Sequence, residues 1–321
     1  MGSDFRHEIP LDAKIYIAGH SGLAGSGIWR AFESEGYTNL VGRRSAELDL
    51  MDRDATADFF SDERPDYVID AAARVGGIFD NAAHKADFMS QNLRIQLNVL
   101  DAAARFRPKR LLFLGSNCIY PKFAEQPIRE DSLMTGELEE SNDAYAVAKI
   151  AGVFHVKALR QQYGMSAISA MPTNLYGPGD NFNIPGAHAF PMLLRRLHEA
   201  KLAGDGEFVI YGSGTPIREF LHTDDLGRAV VHLLRHYDDA SPINVGTGVG
   251  TEINDLVARM AEVIGYDGTF EHDLSKLDGT PKKISDIGRI SALGWRPRID
   301  VAEGIKSTYA WFVEHQDTFR R

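Results

Sequence analysis

Gly19-His20-Ser21-Gly22-Leu23-Ala24-Gly25 follows directly on an apolar run at residues 14–18 and opens a helically spaced segment over 22–32. A glycine cluster caught between a strand and a helix admits few folds. Glycines there permit a tight turn and let the backbone approach a pyrophosphate, whose charge then rests on the helix N-terminus. The ordinary alternative is a strand-to-helix turn with no ligand. Placement at the start of a βαβ pattern favours a dinucleotide site built from Gly19, His20, Ser21, Gly22, Leu23 and Gly25.

The pattern continues as that site requires. Short β-type runs at 40–41, 67–69, 110–114 and 167–171 alternate with helical spacing over 87–106 and 143–163. Such alternation predicts an α/β fold with a Rossmann-type doubly wound parallel sheet. After Pro172 the texture changes: Pro178, Gly179, Pro185 and Gly186 mark loops, and 190–202 reads as a helix. Residues 219–222 and the helix over 225–236 read as a return to the sheet, and 253–264 and 301–315 as amphipathic helices. The expected division is a cofactor domain over 1–175 plus 219–247, and a smaller discontinuous α/β substrate domain over 176–218 plus 248–321.

The second strand ends at Gly42-Arg43-Arg44, where an NAD-specific protein would carry a carboxylate for the ribose hydroxyls. Two guanidiniums suit a 2′-phosphate instead, because arginine offers a fixed fork of donors. NADPH is therefore the expected cofactor, against the alternative that both arginines are simply solvated.

Tyr145 and Lys149 lie four residues apart on one helical face, which brings their Cβ atoms to about 5–6 Å. A free phenol, with a pKa of about 10, exchanges protons reluctantly at neutral pH. A neighbouring ammonium is expected to lower that value toward the range acid–base chemistry uses. Ser116 lies just past the 110–114 strand, at the carboxyl end where such folds bind ligands. Glycine turn, strand-end serine, then tyrosine and lysine in a helix form a catalytic set in the expected order.

Bulk properties narrow the classes further. A net charge of −10 argues against nucleic acid as a partner, since phosphate backbones need a basic surface. Cys118 is the one cysteine, which excludes an intrachain disulfide and a multi-thiolate zinc site; no metal is expected. No apolar run approaches the roughly 20 residues of a membrane span, and the first ten residues lack an apolar core. The expectation is a cytoplasmic protein without membrane contact.

Longer motifs carry a resemblance. Ala73-Arg74-Val75-Gly76-Gly77-Ile78, Gly115-Ser116-Asn117-Cys118-Ile119-Tyr120-Pro121, Met171-Pro172-Thr173-Asn174-Leu175-Tyr176-Gly177-Pro178 and Gly212-Ser213-Gly214-Thr215-Pro216-Ile217-Arg218-Glu219-Phe220 run in order along the chain. With the glycine turn, they resemble the GDP-L-fucose synthase family of extended short-chain dehydrogenase/reductases, over nearly the whole length. The resemblance implies epimerisation of a GDP-4-keto-6-deoxy-D-mannose at C3 and C5, followed by NADPH-dependent reduction at C4. It implies Cys118 as base and His188 as acid for epimerisation, two groups whose free pKa values of about 8.5 and 6.5 bracket neutrality. It further implies Ser116 and Tyr145 on the C4 oxygen, and Lys149 on the nicotinamide ribose. Asp49, Leu50, Pro172, Asn174, Leu175 and His188 would line the cofactor. Arg196, Tyr211, Arg218 and Asp278 would hold the sugar nucleotide, and a homodimer would be the assembly.

Departures from the pattern leave selectivity open. Tyr211 stands where tryptophan is common, Gly179 where a larger residue is usual, Phe190 where an aliphatic one is, and Ser21 where some members carry a basic one. A sugar-nucleotide dehydratase would place an Asp-Glu pair after the strand-end hydroxyl, where Asn117 and Cys118 stand here. A UDP-sugar 4-epimerase would leave Cys118 and His188 idle. GDP-L-colitose synthase performs a related reaction and stays open, as does a non-catalytic NADPH-binding sensor, against which Ser116, Tyr145 and Lys149 argue.

Overall fold

A computed structural model describes residues 5–184, 186–276 and 278–316, with 78 and 79 described by backbone alone. Pro185 lies outside the described residues. In the first half the chain runs β1 (Ile15–Ala18), α1 (Leu23–Ser34), β2 (Leu40–Val41), α2 (Arg53–Glu63), β3 (Tyr67–Asp70), α3 (Ile78–Ala83), α4 (Lys85–Phe106), β4 (Arg110–Leu114), α5 (Asp143–Tyr163) and β5 (Ala167–Pro172). The second half runs β6 (Asn174–Tyr176), α6 (Ala189–Ala203), β7 (Glu207–Tyr211), β8 (Ile217–His222), α7 (Thr223–His236), β9 (Ile243–Val245), β10 (Gly250–Glu252), α8 (Ile253–Ile264), β11 (Thr269–Asp273), β12 (Lys282–Lys283), α9 (Gly288–Ala292) and α10 (Val301–Glu314).

The main sheet is parallel, in the order β2-β1-β3-β4-β5-β9. Its strands are apolar on both faces because helices cover both, and alternate residues sort to opposite cores. Ile15, Ile17, Ile69, Leu112, Leu114, Ile168 and Ala170 face one cluster with Phe32 and the apolar side of α7. Tyr16, Ala18, Val68, Leu111, Phe113 and Met171 face the other with Phe60, Val99 and Val156. Phe113 is fully buried, and its truncation to alanine would cost about 3–5 kcal/mol. Arg110, buried at the start of β4, donates to the Leu234 and Tyr237 carbonyls and so closes the C-terminus of α7. Because the chain crosses back past β1 after β2, the switch point falls between β1 and β3, where such sheets open a ligand crevice.

The expectation that residues 219–222 rejoin this sheet is not met. β8 pairs with β6, β10 and β12 in a separate small sheet, and β9 takes the sixth place in the large one. The apolar segment that precedes a helix looks alike in either position; Glu219 shows which it is. Its buried carboxylate accepts from the Thr247, Gly248 and Ser285 amides at 2.6, 2.7 and 2.8 Å, tying β8 to the segment around β12. β7 and β11 pair beside it, and a third core of Tyr176, Phe190, Leu194, Leu256 and Met260 packs α6, α8 and α10 against these strands.

Candidate active site

The glycine turn wraps the carboxyl end of β1. Gly19 has φ 76°, the left-handed region that disfavours a side chain, and a Cβ there would lie 2.9 Å from the Ala71 carbonyl oxygen. A Cβ on Gly25 would run into the Gly19 carbonyl. Gly22 caps α1 with extended backbone and no side-chain hydrogen bond, so the first amides of the helix are left for an anion.

At the end of β2 the two arginines part company. Arg43 is held by Glu63 at 2.6 Å, while the Arg44 side chain has no partner among the described residues and is exposed. His20 packs its ring over Gly42, and burial first, then the Arg44 charge, holds its pKa below the usual imidazole range. Asp49 accepts from the Met51 amide at 2.9 Å and shapes the turn beyond, and the Leu50 carbonyl is fixed by Asn98 at 2.9 Å. Pro172 ends β5; Asn174 donates to the Glu219 carbonyl at 2.8 Å, and Leu175 continues β6.

Ser116 begins a short turn after β4, its hydroxyl oxygen accepting from the Cys118 amide at 3.2 Å. Tyr145 on α5 is within hydrogen-bond reach of that hydroxyl and close to the Cys118 sulfur. The structure thus gathers Ser116, Cys118 and Tyr145. Burial, then the Cys118 sulfur, pushes the phenol pKa up, with Ser116 alone pulling it down. This corrects the expectation that Lys149 lowers it. Lys149 instead directs its ammonium 2.9 Å from the Leu114 carbonyl and 4.7 Å above the Phe113 ring, and burial lowers its pKa to about 8. Four residues of helical offset align two Cβ atoms; they do not bring a buried ammonium to a phenol.

Two donors that sequence reasoning missed converge on Cys118. Asn142 Nδ2 and Lys283 Nζ each lie 3.5 Å from Sγ. Asn142, the N-cap of α5, stands three residues before Tyr145; Lys283 comes from β12 and had no local signal. His188 caps α6 and is exposed, and desolvation by the surrounding protein holds its pKa below the usual imidazole range. The loop before it is docked by Gly77, whose amide donates to the Gly186 carbonyl at 3.1 Å and whose missing Cβ makes room for the Ala187 carbonyl. Among the described residues no hydrogen bond or ion pair joins His188 to Ser116, Cys118 or Tyr145.

A model of the NAD dependent epimerase/dehydratase family matches residues 15–246. GDP-L-fucose synthase 1 of Arabidopsis thaliana is 48% identical over 98% of each chain. The chain belongs to the GDP-L-fucose synthase family. A GDP-L-fucose synthetase from Naegleria fowleri, solved bound to NADP, superposes with a TM-score of 0.92 at 31% identity, covering 100% of this chain and 98% of that one. A GDP-L-colitose synthase of Yersinia pseudotuberculosis is more distant, at 32% identity over 95% of this chain and 99% of its own.

In this GDP-L-fucose synthase relative, the four residues expected to hold the sugar nucleotide form two linked groups. Arg196 is not a solvated helix residue: its guanidinium lies 4.2 Å from the Tyr211 ring centroid and donates to the Val209 carbonyl at 2.7 Å. Asp278 accepts from the Ser213 amide and hydroxyl at 2.7 and 2.8 Å, which pins the turn just beyond Tyr211. Arg218 donates to the Asp278 carbonyl at 3.3 Å. β12 then pairs Lys283 with Arg218, so one short strand links this group to the thiol.

Proposed function

We propose that this chain converts GDP-4-keto-6-deoxy-D-mannose to GDP-L-fucose, by epimerisation at C3 and C5 and NADPH-dependent reduction at C4. The observation that carries the reading is the Cys118 sulfur seated beside the Ser116–Tyr145 pair, with two N–H donors aimed at it. A simple reductase has no use for a thiol in that place.

The glycine turn fits NADPH: the space a Cβ would fill at Gly19 and Gly25, the open amides at the start of α1 and the unpaired Arg44 suit a dinucleotide carrying a 2′-phosphate. NADPH supplies the hydride that C4 receives. Ser116 and Tyr145 hold the C4 oxygen by donating to it, which raises the acidity of the neighbouring C–H bonds. Cys118, held in place by its two donors, removes a proton from the carbon beside the ketone. His188 returns a proton on the opposite face, inverting the centre. Tyr145 finally gives its proton to the C4 oxygen as reduction occurs, and the raised phenol pKa keeps that proton in place until then. Lys149, whose ammonium donates to the Leu114 carbonyl, is the residue that would serve the nicotinamide ribose.

Arg218 and Arg196 hold the diphosphate, arginine being suited to bidentate phosphate contacts, and Tyr211 offers a flat ring to the base. The main-sheet layer binds the cofactor, and the elements over 176–218 and 248–316 bind the sugar nucleotide. β8 and α7 bridge the two. A cytoplasmic homodimer is the setting we propose; light scattering of the purified protein tests the dimer. No helix among the described residues is long and apolar enough to cross a membrane.

The decisive experiment supplies GDP-4-keto-6-deoxymannose and NADPH, following cofactor absorbance and identifying the sugar formed. NADPH oxidation with GDP-L-fucose as product is expected. Absence of NADPH oxidation removes the reading, and a product unchanged at C3 and C5 reduces the protein to a plain reductase.

A further inference from the structure

Asp70, the last residue of β3, is a buried acid that the chemistry above does not use. It is fully enclosed, no side chain among the described residues hydrogen-bonds its oxygens, and the Ala72 amide is the one backbone group that favours its charge. An ionised carboxylate is costly in such a place unless an opposite charge faces it. One does. Asp70 pairs in register with Phe113 on β4, and parallel neighbours direct their side chains to the same face. The Lys149 ammonium sits 4.7 Å above that same Phe113 ring and donates to the next carbonyl along β4, that of Leu114. Lys149 is 2% exposed, and among the described residues Asp70 is the one charged group that favours its protonated form.

Resting on the function proposed above, we infer that Asp70 is a positioning residue of the reduction step: its negative charge keeps Lys149 an ammonium inside a site that would otherwise strip its proton. Each group supports the charged form of the other while burial opposes both, leaving the carboxyl at about 7 and the ammonium at about 8. Tyr16, from β1, is the other titratable group facing Asp70, and it stays neutral because burial and Asp70 both push its phenol up. The buried polar side chains of α4, Asn92 and Gln96, carry no charge. Among the described residues Lys149 therefore has no alternative counter-ion.

Asp70→Asn and Asp70→Leu test this in the NADPH-loaded enzyme, with single-turnover hydride transfer measured across pH. Losing the carboxylate should move the alkaline limb of the rate to lower pH by about one unit, so that the rate at high pH falls about tenfold while that near pH 6 changes little. The leucine variant should melt at a lower temperature than the parent, because Lys149 is left a buried ammonium without its counter-charge. An NMR titration of selectively labelled Lys149 reads the same displacement without turnover. Profiles that superpose on the parent's overturn the inference, as do variants that lose stability without moving the limb, or that fail to fold. An inactive parent enzyme would instead overturn the function itself, an outcome distinct from all of these.

Discussion

Lys283 Nζ reaches the Cys118 sulfur at 3.5 Å although 165 positions separate the two residues. With Asn142 at the same distance on the same sulfur, the thiol meets two donors. The two N–H groups, from α5 and β12, fix the position of the sulfur.

Proton exchange should therefore depend on this cluster. Cys118→Ser should slow solvent deuterium incorporation into the sugar by about 10²–10⁴-fold, the usual contribution of a positioned base. Lys283→Ala should slow it by about tenfold or more, since the sulfur loses a hydrogen bond from a charged donor, about 1.5–3 kcal/mol. NMR of the sugar in D₂O checks both; exchange that survives unchanged in the cysteine variant refutes its role.

Tyr145→Phe separates the two halves of the reaction. The hydroxyl lost is the proton donor to the C4 oxygen, so hydride transfer should fall about 10²–10⁴-fold. Deuterium exchange should persist at a reduced rate, because Ser116 still holds the ketone. Equal loss of both activities would show that the phenol also serves epimerisation.

Cofactor choice should follow Arg44 more than Arg43. Arg43 is already bound to Glu63 at 2.6 Å, whereas the Arg44 guanidinium has no partner among the described residues. A lost charged hydrogen bond of about 1.5–3 kcal/mol predicts that Arg44→Ala weakens NADPH binding about 10–100-fold and spares NADH. Arg43→Ala should narrow the preference less. Isothermal titration with each cofactor decides it, and an unaltered ratio in the Arg44 variant discards that residue.

Gly25→Ala should damage fold and cofactor site together. Its methyl would meet the Gly19 carbonyl, forcing the turn open at a cost of about 1–3 kcal/mol. A lowered melting temperature that NADPH no longer raises is expected; a variant that binds NADPH with parental affinity would show that the turn has room to spare.

Much of this architecture was legible before any coordinates. Strands at 110–114 and 40–41 fall where the apolar runs placed them, and α5 covers the whole segment carrying Tyr145 and Lys149. Such features are local: side-chain period, glycine punctuation and strand-end position are written in consecutive residues. The strands β7, β11 and β12 were not read, being short, partly exposed and paired with distant segments.

The sequence by itself determined the parallel α/β layer, the glycine turn at its switch point and the order of Ser116, Tyr145 and Lys149, because each depends on spacing along one element. Tertiary structure decided which charges meet. It turned Lys149 toward Leu114 and Asp70 rather than toward the phenol, bound Arg43 to Glu63, moved β8 into the small sheet and carried Lys283 to Cys118. Those outcomes depend on burial and on crossings between remote segments, and electrostatics in a low-dielectric interior is set by what surrounds a group, not by what precedes it in the chain.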